Sequence, residues 1–217
     1  MTTLQFRVLG PLELLCDGRL LDLGPPKQRA LLGMLLVHGN SVVATDRLLE
    51  ELWSGEPPPN ARHALHVYVS NVRKLFELCR DPSASRRLLV TRRPGYLLHV
   101  PDEQLDAACF ENAVREGRNA LTDGCLEQAA ELLRRGLALW RGPALADIVD
   151  EPFTRPYIAR LEELRLTALD ARVEADLELG RHADLIGELE ALVADHPLRE
   201  RFSHQLMRAL YGTGRQG

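Results

Sequence analysis

The side chains of this sequence that could do chemistry are concentrated between residues 60 and 93. This stretch carries 8 Lys or Arg and 2 Asp or Glu, a net charge of +6. Cations clustered in this way favour a polyanionic partner such as a nucleic acid. Because a charged stripe on a single helix is more often only a solvated face, its interpretation depends on the elements around it.

The hydrogen-bonding residues of this stretch share one stripe of a predicted helix that follows Asn60 and runs to about residue 79. The buried stripe is predicted at i, i+3, i+4 spacing and comprises Ala61, Leu65, Tyr68, Val72, Leu75 and Phe76. The opposite stripe holds His63, His66, Ser70, Asn71, Arg73 and Lys74. Each of these side chains can meet a phosphate or a base edge, and an α-helix fits the DNA major groove.

Two more cations stand in a predicted hairpin after this helix. Apolar runs at residues 88–91 and 96–100 are joined through Arg92-Arg93-Pro94-Gly95. Proline followed by glycine suits the central positions of a type II turn, so we expect Arg92 and Arg93 at or beside the hairpin tip. A cationic tip beside a polar helix is a DNA-binding geometry.

The elements that would position these residues come earlier in the chain. Short strands are predicted at residues 4–9, 12–16 and 20–23, with turns at Gly10-Pro11 and Asp17-Gly18. A helix then runs from Pro25-Pro26 to Gly39-Asn40, and Thr45 is predicted to cap a second one over residues 46–53. Strands, three helices and a basic hairpin are the order of an α+β winged helix-turn-helix domain, predicted over residues 1–101.

Residues 102–217 have the opposite charge and another pattern. They carry 14 basic and 22 acidic residues, giving −8, whereas residues 1–101 carry 13 and 9, giving +4. Gly180-Arg181 and Gly214-Arg215 lie 34 residues apart, the tetratricopeptide length, and Gly124 fits one unit earlier with about 22 residues inserted. We therefore predict an all-α tetratricopeptide-like domain. Because the next helix would begin near Gln216, we expect this domain to be truncated at its C-terminus.

Several motifs resemble those of known regulators. Residues 67–75, VYVSNVRKL, and residues 91–96, TRRPGY, resemble the recognition helix and wing of OmpR-type winged helices. VLGPLE at 8–13 and GPPKQR at 24–29 are similar to the Streptomyces antibiotic regulatory protein family. So is VPD at 100–102 leading to Asp106 and Phe110, where that family's bacterial transcriptional activation domain begins. The resemblance covers nearly the whole chain.

The resemblance implies a sequence-specific DNA-binding transcriptional activator, of the kind that controls a secondary-metabolite (antibiotic) gene cluster. It implies a homodimer on direct repeats of double-stranded DNA that recruits RNA polymerase through its sigma and alpha subunits. Carried over by position, the DNA-binding residues are His63, His66, Ser70, Asn71, Arg73, Lys74, Arg92 and Arg93. The loop that OmpR-type domains offer to polymerase corresponds to Trp53, Ser54, Gly55 and Glu56. Many relatives carry arginine at Ser70 and Asn71, so we expect weaker or different base reading here.

The sequence lacks the usual enzymatic motifs. It has no G-x-x-x-x-G-K-[ST], H-E-x-x-H or G-x-S-x-G. Residues 212–217 match G-x-G-x-x-G, but a dinucleotide site needs a strand before that motif and a helix after it. His63 and His66 are spaced for a metal, but no carboxylate or thiol completes the set. We therefore expect no catalytic residue, no cofactor and no metal.

Cysteine spacing and hydropathy favour a cytoplasmic protein, and the DNA binding that the resemblance implies makes it nucleoid-associated. Cys16, Cys79, Cys109 and Cys125 lie far apart with no C-x-x-C pair, which favours reduced, packed thiols. Apolar runs fall well short of the roughly 20 residues of a membrane span, and no signal peptide opens the chain.

Two other functions fit the same pattern. One is a helical-repeat interaction scaffold whose basic N-terminal domain docks on an acidic protein segment. The other is a ligand-gated repressor of the same architecture. Steep salt dependence and a footprint on DNA would separate a DNA-binding protein from the scaffold.

Overall fold

The computed structural model describes residues 3–79 and 87–214, which form two compact units. The first unit comprises the described residues up to Cys109 together with Trp140–Leu161, and the second comprises Phe110–Leu139 and the residues from Glu162. The first mixes strands and helices and the second is helical, as predicted. Trp140–Leu161 was expected to belong with the C-terminal domain, but it packs in the first unit.

A three-stranded antiparallel sheet opens the first unit. Its strands are β1 (Leu4–Arg7), β2 (Glu13–Cys16) and β3 (Arg19–Leu20), in that order. Asp17 and Gly18 both have positive φ, 47° and 78°, as a two-residue hairpin turn requires. This tight turn makes Cys16 pair with Arg19, so β3 begins one residue earlier than predicted and ends at Leu20.

Cys16 and Cys79 are joined in a disulfide, with their Cα atoms 5.5 Å apart. The prediction that all four thiols are reduced is therefore wrong for this pair in the described structure. The sequence separation of 63 between the two cysteines hid their proximity, because only the packing of the third helix on the first sheet brings them together. Cys109 and Cys125 are free thiols.

Three helices follow the first sheet: α1 (Pro26–Val37), α2 (Thr45–Leu52) and α3 (Ala61–Glu77). Thr45 was expected to cap α2, but it is the first residue of that helix and its hydroxyl donates to the Pro94 carbonyl at 3.1 Å. Asn60 occupies the N-cap position of α3 as predicted, although its side chain makes no capping hydrogen bond.

The second sheet carries the hairpin. It consists of β4 (Val42–Ala44), β5 (Leu89–Arg92) and β6 (Gly95–Leu98), in the order β4-β6-β5. Arg92 pairs with Gly95, so the central turn residues are Arg93 and Pro94, and the predicted type II turn centred on Pro94 and Gly95 is wrong. This pairing makes Pro94 the third residue of the turn, and the Arg93–Pro94 peptide is cis, as in type VI turns.

Residues 8–12 of the first unit are held by side chains from farther along the chain. The Asp106 carboxylate accepts hydrogen bonds from the backbone N–H groups of Val8 at 2.8 Å and Leu9 at 3.1 Å. Asp147 accepts from the backbone of Leu12 and from the side chain of Arg29, each at 2.6 Å. Burial raises the pKa of Asp106, and the two backbone hydrogen bonds oppose that shift. Trp140–Leu161 is thus tied through Asp147 to Leu12 and to Arg29 of α1.

Five α-helices follow in the described residues from Asp106 onward. They are α4 (Asp106–Thr122), α5 (Leu126–Leu137), α6 (Thr154–Glu178), α7 (His182–Asp195) and α8 (Glu200–Gly212). Gly124, Gly180 and Gly214 all have φ between 73° and 77°, a left-handed conformation that ends a helix at each predicted repeat turn. No helix within the described ranges combines the length and the apolar character needed to cross a bilayer.

Candidate nucleic-acid interface

The outer face of α3 carries the polar stripe that the sequence predicts. His63, His66, Ser70 and Lys74 are exposed, and Asn71 is half-buried beside them. Beneath them, the buried residues of the helix are Ala61, Leu65, Val69, Val72 and Phe76. The predicted core stripe missed Val69, and it included Tyr68 and Leu75, which are only partly buried.

Arg73 does not project freely from this stripe. Its Nε donates to the Leu89 carbonyl at 3.0 Å, and its Nη2 donates to the Thr91 hydroxyl at 2.9 Å. Both acceptors belong to β5, so the guanidinium bridges α3 and one strand of the hairpin. The sequence could not reveal this bond, because the same arginine at the same spacing would suit a phosphate equally well.

Arg92 and Arg93 are exposed at the hairpin, where the sequence places them. The turn that carries them is anchored from behind, because the Pro94 carbonyl accepts from both the N–H and the hydroxyl of Thr45 in α2. Gly95 allows β4 and β6 to approach: a Cβ at this position would lie 1.8 Å from the Val43 carbonyl oxygen. The two cations are therefore presented on a braced hairpin.

Two further exposed residues of α3, Arg62 and Val67, were not among the predicted site residues. Val67 is 42% exposed and stands among polar side chains on the outer face of the helix. Its methyl groups could contact a thymine methyl in a major groove. Arg62 is exposed but paired with Asp46 of α2 at 2.5 Å. An apolar residue within a polar stripe is the signal by which Val67 could have been found.

The loop between α2 and α3 borders an open concavity of about 470 Å³, lined in part by Gly55 and the prolines that follow it. Ser54, Gly55 and Glu56 are exposed, whereas Trp53 is half-buried and stacks on Tyr68 with ring centroids 6.5 Å apart. Ser54 and Gly55 both have positive φ, 52° and 86°. The ring contact packs the start of the loop against α3, and the two residues with positive φ turn the chain between the helices.

In the helical unit, by contrast, many arginines are neutralised by nearby carboxylates. Asp176, only 2% exposed, is ion-paired with Arg134, Arg172 and Arg181. Burial raises the pKa of Glu174, but hydrogen bonds from Arg208 and Gln205 and the nearby guanidinium charges together outweigh burial and lower it. Cations paired in this way contribute little field to attract a polyanion.

No cluster of three or more His, Cys, Asp or Glu side chains that could hold a metal occurs in the part of the chain that the structure describes. His63 and His66 therefore lie on α3 without further ligands from the described residues. Their exposure suits hydrogen bonding to a partner.

Two family models match this chain and define its class of protein. Residues 19–98 match the family described as "Transcriptional regulatory protein, C terminal", and residues 105–217 match the "Bacterial transcriptional activator domain". The chain is thus built as a transcriptional regulator with a winged helix followed by a helical activator domain.

Individual relatives of this chain are also transcriptional or regulatory proteins. The chain is 41% identical over 214 residues to the transcriptional regulatory protein EmbR of Mycobacterium tuberculosis, covering 98% of this chain and 54% of EmbR. It is 38% identical to the regulatory protein DnrI of Streptomyces peucetius, covering 98% of this chain and 79% of DnrI. It is 40% identical to the regulatory protein AfsR of Streptomyces coelicolor, covering 98% of this chain and 21% of AfsR.

A solved structure of one of these relatives has the same fold as this chain. Mycobacterium tuberculosis EmbR, in complex with a low-affinity phosphopeptide, superposes with a TM-score of 0.95 at 40% identity, covering 100% of this chain and 56% of that one. This chain spans about half the length of the EmbR relatives it matches. The chain belongs to the Streptomyces antibiotic regulatory protein family. Its domains and these relatives are regulators and not enzymes, as the sequence predicts.

Proposed function

We propose that this protein is a sequence-specific transcriptional activator that binds double-stranded DNA through α3 and the β5–β6 hairpin. The observation that carries the proposal is the exposed polar stripe of α3 on the same compact unit as the exposed pair Arg92 and Arg93. A helix in the major groove with a cationic wing beside it is the way winged helices hold DNA.

The residues of the site divide by chemistry. His63, His66, Ser70 and Asn71 can donate to or accept from base edges, and Asn71 can pair bidentately with adenine. Lys74, Arg92 and Arg93 carry full charges and suit phosphates. Arg73, already bonded to β5, sets the position of the hairpin relative to the recognition helix α3.

The promoter context of this activity is also part of the proposal. We infer binding as a homodimer to direct repeats upstream of a promoter in a secondary-metabolite gene cluster, since AfsR and DnrI are relatives. The exposed loop with Trp53, Ser54, Gly55 and Glu56 would contact the sigma and alpha subunits of RNA polymerase. Such a protein would work in the cytoplasm, at the nucleoid.

Binding to DNA duplexes selected from a random library tests the proposal. We expect affinity for selected over scrambled duplexes, and a steep fall of affinity with salt, with a slope of about −0.9 per phosphate contact. Arg92→Ala/Arg93→Ala is expected to weaken binding to both kinds of duplex, whereas Arg134→Ala, in the helical unit, is the matched control and should leave the salt slope unchanged. If no duplex were selected from the library, the proposal would be contradicted. That result would favour the helical-repeat interaction scaffold.

A variant of the loop that still binds DNA but activates transcription less would support the polymerase contact. Glu56 is exposed and lies outside α2 and α3, so we use the variant Glu56→Ala. We expect it to keep the affinity for a selected duplex and to lower transcription from a template that carries the selected site. Unchanged transcription for this variant and for Ser54→Ala would argue against the loop as the polymerase contact.

A further inference from the structure

A covalent bond ties the end of the recognition helix to the first sheet. Cys16 is the last residue of β2, and Cys79 follows the last residue of α3 by two positions. Their disulfide closes a loop that contains α1, β4, α2 and α3. The helix end therefore has one covalent anchor in addition to its packing.

The two cysteines differ in their exposure to solvent. Cys79 is 3% exposed, whereas Cys16 is half-buried at the end of β2, the central strand of the first sheet. A reagent in solution can therefore reach Cys16 first, and Cys79 is placed to react with Cys16 next. This is the arrangement of an attacking and a resolving thiol.

We propose that Cys16 and Cys79 form a reversible thiol–disulfide switch on DNA binding. The inference rests on the proposed function, because a protein that works at the chromosome is in a compartment that keeps thiols reduced. Disulfides of proteins in such a compartment are usually transient and redox-sensing.

A low-molecular-weight disulfide, RSSR, is the chemical class of oxidant that balances the reaction. The Cys16 thiolate attacks one sulfur of RSSR, forming a mixed disulfide and releasing RS⁻. The Cys79 thiolate then attacks the Cys16 sulfur and releases the second RS⁻. The two cysteines lose two electrons and two protons in total, and RSSR leaves as two RSH.

The bond acts on the last turn of α3, which carries Lys74. Without it, the described contacts there are non-covalent, such as the edge-to-face contact of Phe76 with Phe6 at 5.9 Å between ring centroids. The disulfide stops this turn from fraying, so the oxidised protein holds Lys74 in place and binds DNA more tightly than the reduced protein.

The experiment uses the full chain with Cys109→Ser and Cys125→Ser, so that Cys16 and Cys79 are its only thiols. The protein is treated with oxidised glutathione or with dithiothreitol. Thiols are then counted in denaturant, the melting temperature is measured, and Kd is measured on a selected duplex. The matched control carries Cys16→Ser in addition.

Oxidation is expected to remove both thiols, to raise Tm by about 5 °C or more, and to tighten Kd several-fold. Dithiothreitol should reverse all three changes, and the Cys16→Ser variant should show none of them. If both thiols persisted under oxidant, or if the bond formed and Kd did not change, the redox switch would be overturned. The proposed function would not be affected by either result. Failure of both redox forms to bind any selected duplex would overturn the proposed function as well, while thiol count and Tm would still report whether the bond forms.

Discussion

Asn71 lies midway along the polar stripe of α3, half-buried between exposed neighbours. Because an asparagine amide can pair with one adenine, we expect Asn71→Ala to cost about 1 to 3 kcal/mol of binding free energy on the selected duplex only. Kd values on selected and scrambled duplexes measure this difference. Equal weakening on both duplexes would mean that Asn71 does not read a base.

Lys74 is the charged counterpart of Asn71 on the same helix. As a phosphate ligand it should contribute to every sequence alike, so Lys74→Ala should weaken selected and scrambled duplexes equally and lower the salt slope by about 1. A salt series on both duplexes is the measurement. An effect confined to the selected duplex would exchange the roles that we assign to Lys74 and Asn71.

Arg73 is expected to behave differently from its neighbour Lys74, although both are cations. Because its guanidinium is bonded to Leu89 and Thr91, Arg73→Ala should weaken binding without lowering the salt slope through a lost phosphate contact of its own. The same variant should loosen β5, which amide exchange at Val90 and Thr91 would show. A slope reduced by about 1 with unchanged exchange would make Arg73 a phosphate ligand.

The sequence predicts which α3 residues face outward, because helical periodicity fixes the sides of a helix from residue types alone. It does not predict which outward side chain is already occupied. Arg73 and Lys74 are adjacent cations, and only the position of β5 distinguishes them.

At the scale of elements, the hairpin depends on Gly95. The Cβ of an alanine there would overlap the Val43 carbonyl oxygen, and backbone atoms cannot move aside as a flexible side chain does. We expect Gly95→Ala to destabilise the protein by about 2 to 4 kcal/mol, measured by denaturant unfolding. Gly142→Ala is the control: no neighbouring atom lies within 4 Å of its Cβ position, so it should change stability by less than about 0.5 kcal/mol. Equal effects of the two variants would contradict the close β4–β6 approach.

The order of strands, helices and hairpin could be predicted because each element carries its own apolar period and its own turn residues. The strand β4 could not, since three residues are too few for a periodic signal, and it forms only where β6 supplies a partner. The turn at Arg93 and Pro94 was also mispredicted. The pairing of Arg92 with Gly95, a tertiary fact, decides its position.

At the scale of the whole molecule, the binding unit and the predicted first domain differ in extent. A fragment of residues 1–101 lacks Asp106 and Asp147, whose carboxylates satisfy backbone N–H groups of residues 8–12. We predict that this fragment keeps DNA affinity but melts several degrees below the full chain. A fragment of residues 103–217 should bind no duplex at physiological salt. A gel shift by the second fragment would contradict the assignment of DNA binding to the basic first half alone.

A single substitution tests the same contact in the intact chain. Asp147→Ala removes the acceptor for Leu12 and the ion pair with Arg29, so we expect a loss of about 1 to 3 kcal/mol in unfolding free energy. Asp150→Ala, at a nearby exposed carboxylate, should stay within about 0.5 kcal/mol of the parent protein. These bonds join residues more than a hundred positions apart, and no local pattern in the sequence announces them.

Amide hydrogen exchange of the full chain, with and without a selected DNA duplex, tests the central claim most directly. The account predicts that DNA slows exchange in α3 and in the β5–β6 hairpin, and leaves exchange in α6, α7 and α8 unchanged. Protection in the helical unit, with α3 and the hairpin unaffected, would contradict it.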